Sequence, residues 1–158
     1  MRKIIFALGV IFALIAIAQG KKIAERISPP APSVKQAIAF AEQQIGAAYC
    51  YGAPTGNNCP PGTFDCSGLV YAAYKLPSSQ RTSEEQWASE RHVRNPKRGD
   101  LVFFTGSPID PPPGHVGIYL APHKMIDAYA VGTQVRIESF GTAESAPGLQ
   151  YPTGYSIP

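Results

Sequence analysis

Val34, Ile38, Ala41 and Ile45 recur at three- and four-residue spacing, which predicts a helix over Ser33 to Ile45 with Gly46 closing it. The following stretch, Ala47 to Thr63, is rich in Gly, Asn and Pro and reads as a loop. The apolar run Leu69-Val70-Tyr71-Ala72-Ala73-Tyr74 predicts a second helix that begins at or just after Cys66 and ends before Pro77. Thr82-Ser83-Glu84-Glu85 has the form of a capping box and starts a short helix through Trp87 and Ala88. Beyond the turn at Asn95–Asp100 the apolar pattern turns to short strands. These are Leu101–Phe104, His115–Leu120, Lys124–Tyr129 and Gln134–Glu138. Short connections between them favour antiparallel pairing. Helices first and strands after predict an α+β domain, with N-terminal helices packed on an antiparallel sheet. The tail from Gly141 onward is weakly patterned and is assigned no element.

The N-terminus follows another rule. Arg2 and Lys3 precede an uncharged apolar stretch from Ile4 to Ala18, and Ala16-Ile17-Ala18 supplies a small-x-small site for signal peptidase. The expected organisation is a signal peptide over 1–18, a Pro-rich linker over 19–32 and one domain over 33–158. A retained membrane anchor is the alternative reading of 1–18, since Lys21 and Lys22 flank it, although a spanning helix wants ~20 apolar residues. Either reading places the domain outside the cytoplasm, with no stable membrane insertion once the leader is cut. The net charge of +3 falls to about +1 when Arg2 and Lys3 are removed, and no basic run is interleaved with aromatics. Nucleic acid is therefore not an expected partner, and nothing in the pattern calls for more than a monomer.

Three cysteines are an odd number for an oxidising compartment. Cys50 and Cys59 could pair across their loop and leave Cys66 as the free thiol. A zinc site would need more ligands than this stretch offers. A thiol is a nucleophile as thiolate, and a helix N-terminus lowers its pKa through unpaired amides and the dipole. Those amides could also donate to an oxyanion. Taken alone, a cysteine at a helix start is more often packing than catalyst.

The three histidines differ in setting. His92, among arginines, reads as a solvated face, and His123 sits in a turn. His115 opens a strand, where it could serve as a rigid general base or simply meet solvent at a strand edge. Asp127, on the next predicted strand, would lie beside it across a hairpin. It could accept the Nδ1 proton and leave Nε2 for the thiol, the logic of a base held by an orienting group.

Three segments resemble the motifs of the NlpC/P60 cysteine peptidases, in the family's order. Phe64-Asp65-Cys66-Ser67-Gly68-Leu69-Val70 is similar to the nucleophile motif. Arg98–Phe104 resembles the strand motif that follows, and Gly114–Leu120 the histidine motif. Arg81–Gln86 fits the region between the first two. The resemblance implies a papain-like α+β fold and hydrolysis of peptide stems in peptidoglycan, often at the bond between γ-D-glutamyl and a diamino acid. It implies Cys66 and His115 as the dyad, Asp127 as the third polar residue, Tyr49 lining the cleft, and Asp65 and Ser67 helping to hold substrate. No metal or organic cofactor is implied. The chain departs from the family pattern in the longer Tyr49–Cys66 interval, which carries Cys50 and Cys59, and in the Pro-rich loop Ser107–Pro113. An amidase or transferase on the same fold would use the same nucleophile and base. A degenerate member that only binds wall peptide is the alternative of another class.

Overall fold

The computed structural model describes residues 31–56, 58–105 and 113–158. The expected leader, most of the linker and most of the Pro-rich loop over 107–113 lie outside the described residues. From Pro32 to Pro158 the chain forms one unit.

Helix α1 spans Val34–Gln43 and starts with a capping box: Ser33 Oγ accepts from the Gln36 amide while the Gln36 side chain accepts from the Ser33 amide. Its buried residues are Ala37, Ile38 and Ala41, whereas Val34 and Ile45 are about half exposed. The expected stripe is thus corrected. The buried face is rotated toward the small Ala37, and the helix ends two residues before Ile45. Small side chains on that face let α1 lie close against helix α2, Cys66–Tyr74. A short 3₁₀ turn at Ser78–Gln80 leads to helix α3, Ser83–Ser89. Thr82 caps α3 with the reciprocal Glu85 bond that the capping-box pattern predicts.

The strands are β1 (Arg91–Val93), β2 (Leu101–Phe104), β3 (His115–Ala121), β4 (Lys124–Ala128), β5 (Val135–Ser139) and β6 (Pro152–Ile157). They form one antiparallel sheet in the order β1-β6-β2-β3-β4-β5. Strand alternation divides the core into two layers. Leu101, Phe103, Val116, Ile118, Ile126 and Ala128 face α1 and α2. Val102, Phe104, Tyr119 and Met125 face the other way and are covered by Phe140 and Leu149, from the segment between β5 and β6.

Two strands lie beyond those expected. β6 inserts between β1 and β2, so the unassigned tail becomes an interior strand of the sheet. β1 carries His92, which was expected to be a simple solvated side chain. It is exposed, yet its ring stacks on Trp87 at 3.7 Å and its Nε2 lies 2.8 Å from the Trp87 carbonyl.

Candidate active site

The start of α2 is built around Asp65. As N-cap, its Oδ1 accepts from the Gly68 amide at 2.6 Å. Its Oδ2 accepts from the Gly52 amide at 2.7 Å and from Arg81 Nη2 at 2.9 Å. Arg81 also donates to Ser67 Oγ at 3.0 Å, to Thr55 Oγ1 at 2.9 Å and to the Ala53 carbonyl. Ser67 Oγ lies 3.4 Å from Asp65 Oδ1. The Asp65–Arg81 pair is largely buried, at 8% and 16% side-chain exposure, so each charge depends on the other. Gly68 has a steric reason: a Cβ there would sit 1.8 Å from the Ala53 carbonyl oxygen. Gln86, fully buried on α3, donates to the Ser67 carbonyl at 3.0 Å and braces the same turn. Cys66, the first residue of α2, is thereby held in place, and its thiol is free and buried.

Cys50 and Cys59 are joined by a disulfide, with Cα atoms 5.8 Å apart. That removes two of the three thiols a zinc site could have used. Among the described residues no group of three or more His, Cys, Asp or Glu is placed to hold a metal ion.

His115 and Asp127 meet across the β3–β4 hairpin. The register Ile118↔Ile126 continues to bring Gly117 opposite Asp127, so His115 and Asp127 are diagonal neighbours on one face. A Cβ on Gly117 would come within 3.3 Å of the Asp127 Cβ and 2.6 Å of the Met125 sulfur, so the glycine leaves the space this diagonal needs. Asp127 is fully buried, and its Oδ2 lies 2.8 Å from His115 Nε2. This corrects the nitrogen expected from sequence. Asp127 takes Nε2, because the diagonal register offers it the far side of the ring, and Nδ1 is left for the thiol. Burial by itself works against a charge on His115, but the Cys66 sulfur and the Asp127 carboxylate outweigh it and push the imidazole pKa up to about 10. The ring therefore holds its proton beside the Cys66 sulfur.

These residues sit in a cleft of about 880 Å³. Tyr49, Asp65, Cys66, Ser67 and His115 all line it, while Asp127 stands behind His115. Tyr49 is fixed by its backbone, donating its amide to the Thr133 carbonyl at 3.0 Å and bridging to Phe64. Asp65 and Ser67, expected to help hold substrate, spend their described hydrogen bonds on the protein.

Among the cleft residues given no role from sequence, Arg81 and Tyr129 bear directly on the site. Arg81 was visible only as a member of its motif, because its partners lie 14 to 28 residues away. Tyr129, read as the end of a strand, falls one residue past β4. Its ring packs edge-on against His115 with centroids 5.7 Å apart, and its hydroxyl donates to the Pro147 carbonyl. It thus links the segment covering the second core layer to the histidine.

A free thiol at a helix start, a histidine bonded to a buried carboxylate and an open cleft thus meet in one place, and comparison with known proteins identifies the family. The model of the NlpC/P60 family matches residues 46–148. The chain belongs to the NlpC/P60 family. It is 33% identical over 105 residues to the probable peptidoglycan endopeptidase LytE of Bacillus subtilis, covering 65% of this chain and 29% of that protein. It is 36% identical over 111 residues to the murein DD-endopeptidase MepH of Escherichia coli, covering 61% and 36%. The chain thus spans about a third of the length of these curated relatives. Among solved structures, the peptidoglycan hydrolase RipB from Mycobacterium tuberculosis matches with a TM-score of 0.56 at 29% identity, over 78% of this chain and 63% of that one. The α+β architecture, helices on one side of an antiparallel sheet, is that of the NlpC/P60 domain.

Proposed function

We propose that this protein is an exported cysteine endopeptidase that hydrolyses the peptide stems of bacterial peptidoglycan. The observation that carries the reading is the free Cys66 thiol in one cleft with a histidine whose proton is held by buried Asp127. The relatives' names supply the substrate class. The bond proposed is that between γ-D-glutamyl and a diamino acid, with DD cleavage, as in the name of MepH, the alternative product. The organisation proposed is a cleaved leader over 1–18, a linker over 19–32 and a catalytic domain over 33–158, acting as a monomer in the cell envelope or outside the cell.

The proposed chemistry uses these groups in turn. The Cys66 thiolate attacks the scissile carbonyl carbon, forming a C–S bond and a tetrahedral oxyanion. The Gly68 amide is already taken by Asp65 and the Leu69 amide by the Asp65 carbonyl, which leaves the amides of Cys66 and Ser67 as the oxyanion donors at the helix start. His115 passes its Nδ1 proton to the leaving nitrogen, and the C–N bond breaks to leave a thioester. His115, now neutral, takes a proton from water as that water attacks the thioester. The acid leaves and the thiolate–imidazolium pair is restored. Asp127 keeps its negative charge throughout, orienting Nε2 and stabilising the charged ring.

The test is digestion of purified peptidoglycan by the full-length protein and by Cys66→Ala, with fragments read by mass spectrometry. New stem-peptide fragments absent from the variant are expected, and their masses name the bond. Equal fragments from both proteins would refute the nucleophile. Fragments cut at the muramoyl–peptide link would make it an amidase. Binding to the wall with no fragments would make it a binding-only member.

A further inference from the structure

The interval between Tyr49 and Cys66 is longer than the family pattern and holds the disulfide, yet the hydrolytic chemistry above makes no use of that bond. The loop it closes supplies three of the groups that fix the nucleophile turn. The Gly52 amide donates to Asp65, while the Ala53 carbonyl and Thr55 Oγ1 accept from Arg81. The Ala53 carbonyl also accepts from the Asp65 amide at 3.4 Å, and it lies against Gly68 so closely that a side chain there would collide with it. The outer surface of the same loop is cleft wall: Tyr51, Gly52 and Thr55 all line the cleft, and Tyr51 is 77% exposed. Among the described residues of the loop only Ala53 is buried. So little apolar packing cannot by itself hold a segment in one place. What holds this one is its polar links and its covalent closure.

We propose that the Cys50–Cys59 disulfide is a positioning element of the cleft: closed, it keeps Gly52, Ala53 and Thr55 where they fix Arg81 and Asp65 against the Cys66 turn, and opened by a dithiol it releases that wall. In the opening step the dithiol gives two electrons and two protons. The S–S bond breaks, Cys50 and Cys59 become thiols, and the reductant becomes a cyclic disulfide. Cys66 takes no part. Turnover is thereby tied to an oxidising surrounding, although the reaction itself uses a reduced thiol. The usual reducing agent then has opposite effects on the two sites, keeping Cys66 free and dismantling the wall beside it.

The inference rests on Cys66 as nucleophile for its kinetic readout only, and the experiment separates the two. Oxidised full-length protein, the same protein reduced with dithiothreitol, and Cys50→Ala/Cys59→Ala are compared in two ways. Hydrogen exchange by mass spectrometry follows the amides of Gly52 and Gly68, and kcat/KM is measured on a stem peptide well below the thermal midpoint of each. Exchange at both glycines is expected to rise at least about tenfold on opening the disulfide. kcat/KM is expected to fall about 10–100-fold, the scale of a displacement near 1 Å. The double variant should be indifferent to dithiothreitol. Unchanged protection at Gly68, or a kcat/KM that survives reduction, overturns the proposal. If the double variant does not fold, reduced wild type gives the same two readings. If no form cuts the peptide, the functional reading fails, and exchange at Gly68 still decides the positioning role.

Discussion

Replacing Asp127 by Asn removes one charge and leaves the shape of the site nearly intact. The amide oxygen can still accept from His115 Nε2, so the ring keeps its orientation and loses only the negative neighbour 2.8 Å away. His115 is held at about 10, above its ordinary 6.5, in part by that carboxylate. An opposite charge at such a distance raises an imidazole pKa by about 1–3 pH units. At about 1.4 kcal/mol per unit, the variant loses ~1.4–4 kcal/mol of imidazolium stabilisation. The direction follows from the proton: without Asp127 it leaves the ring sooner, so the alkaline limb of kcat/KM moves down from about 10. The assay is kcat/KM on a synthetic stem peptide from pH 5 to ~11, repeated for Asp127→Asn. The alkaline limb should move to lower pH. A variant whose limb coincides with that of the wild type would refute the claim that Asp127 charges the dyad, even if its rate were lower.

Two further predictions concern stability. Arg81→Met strands the buried Asp65 carboxylate and should cost about 3–5 kcal/mol in urea unfolding, with Asp65→Asn added to it restoring part of the loss. Additive costs would show that the pair is not coupled. Glu90, partly buried and bonded to Ser156 Oγ, has its pKa pushed up by burial to about 7 from 4.5. The folded state therefore holds a proton that the unfolded chain releases. Its contribution is full below pH ~4.5 and is lost as pH rises through about 7. Glu90→Gln should flatten that stretch of the Tm–pH curve and gain ~1–2 kcal/mol above pH 7, the figure being discounted for screening by the water that still reaches the group. Identical Tm–pH curves would rule the linkage out.

What was legible in the sequence is what is local: Cys66 stands at the head of the apolar run that forms α2. The α3 capping box was legible for the same reason. The cap role of Asp65 and the steric role of Gly68 were not, because Gly52 and the Ala53 carbonyl define part of each. Arg81 was not, because its role is defined by Ala53, Thr55, Asp65 and Ser67, which only the folded chain brings to it. The nitrogen that Asp127 takes was lost in the same way. Residue spacing says that a hairpin joins the two strands, but whether partners are directly opposite or diagonal depends on register, and the β3–β4 pairing shifts between Tyr119 and Ala121.

The unread tail shows the limit most plainly. In β6 the expected alternation is broken by Pro152 and by Gly154, so no apolar stripe announces a strand. Yet an interior strand need not bring its own apolar surface when the layer beneath supplies one. Trp87 reaches under Gly154, where a Cβ would lie 2.7 Å from its ring, and the same indole packs on Phe103 and His92. Glycine at 154 is thus the socket for an aromatic side chain 67 residues earlier in the chain. The pattern that identifies this strand is therefore divided between two segments, and neither carries enough of it to be read alone.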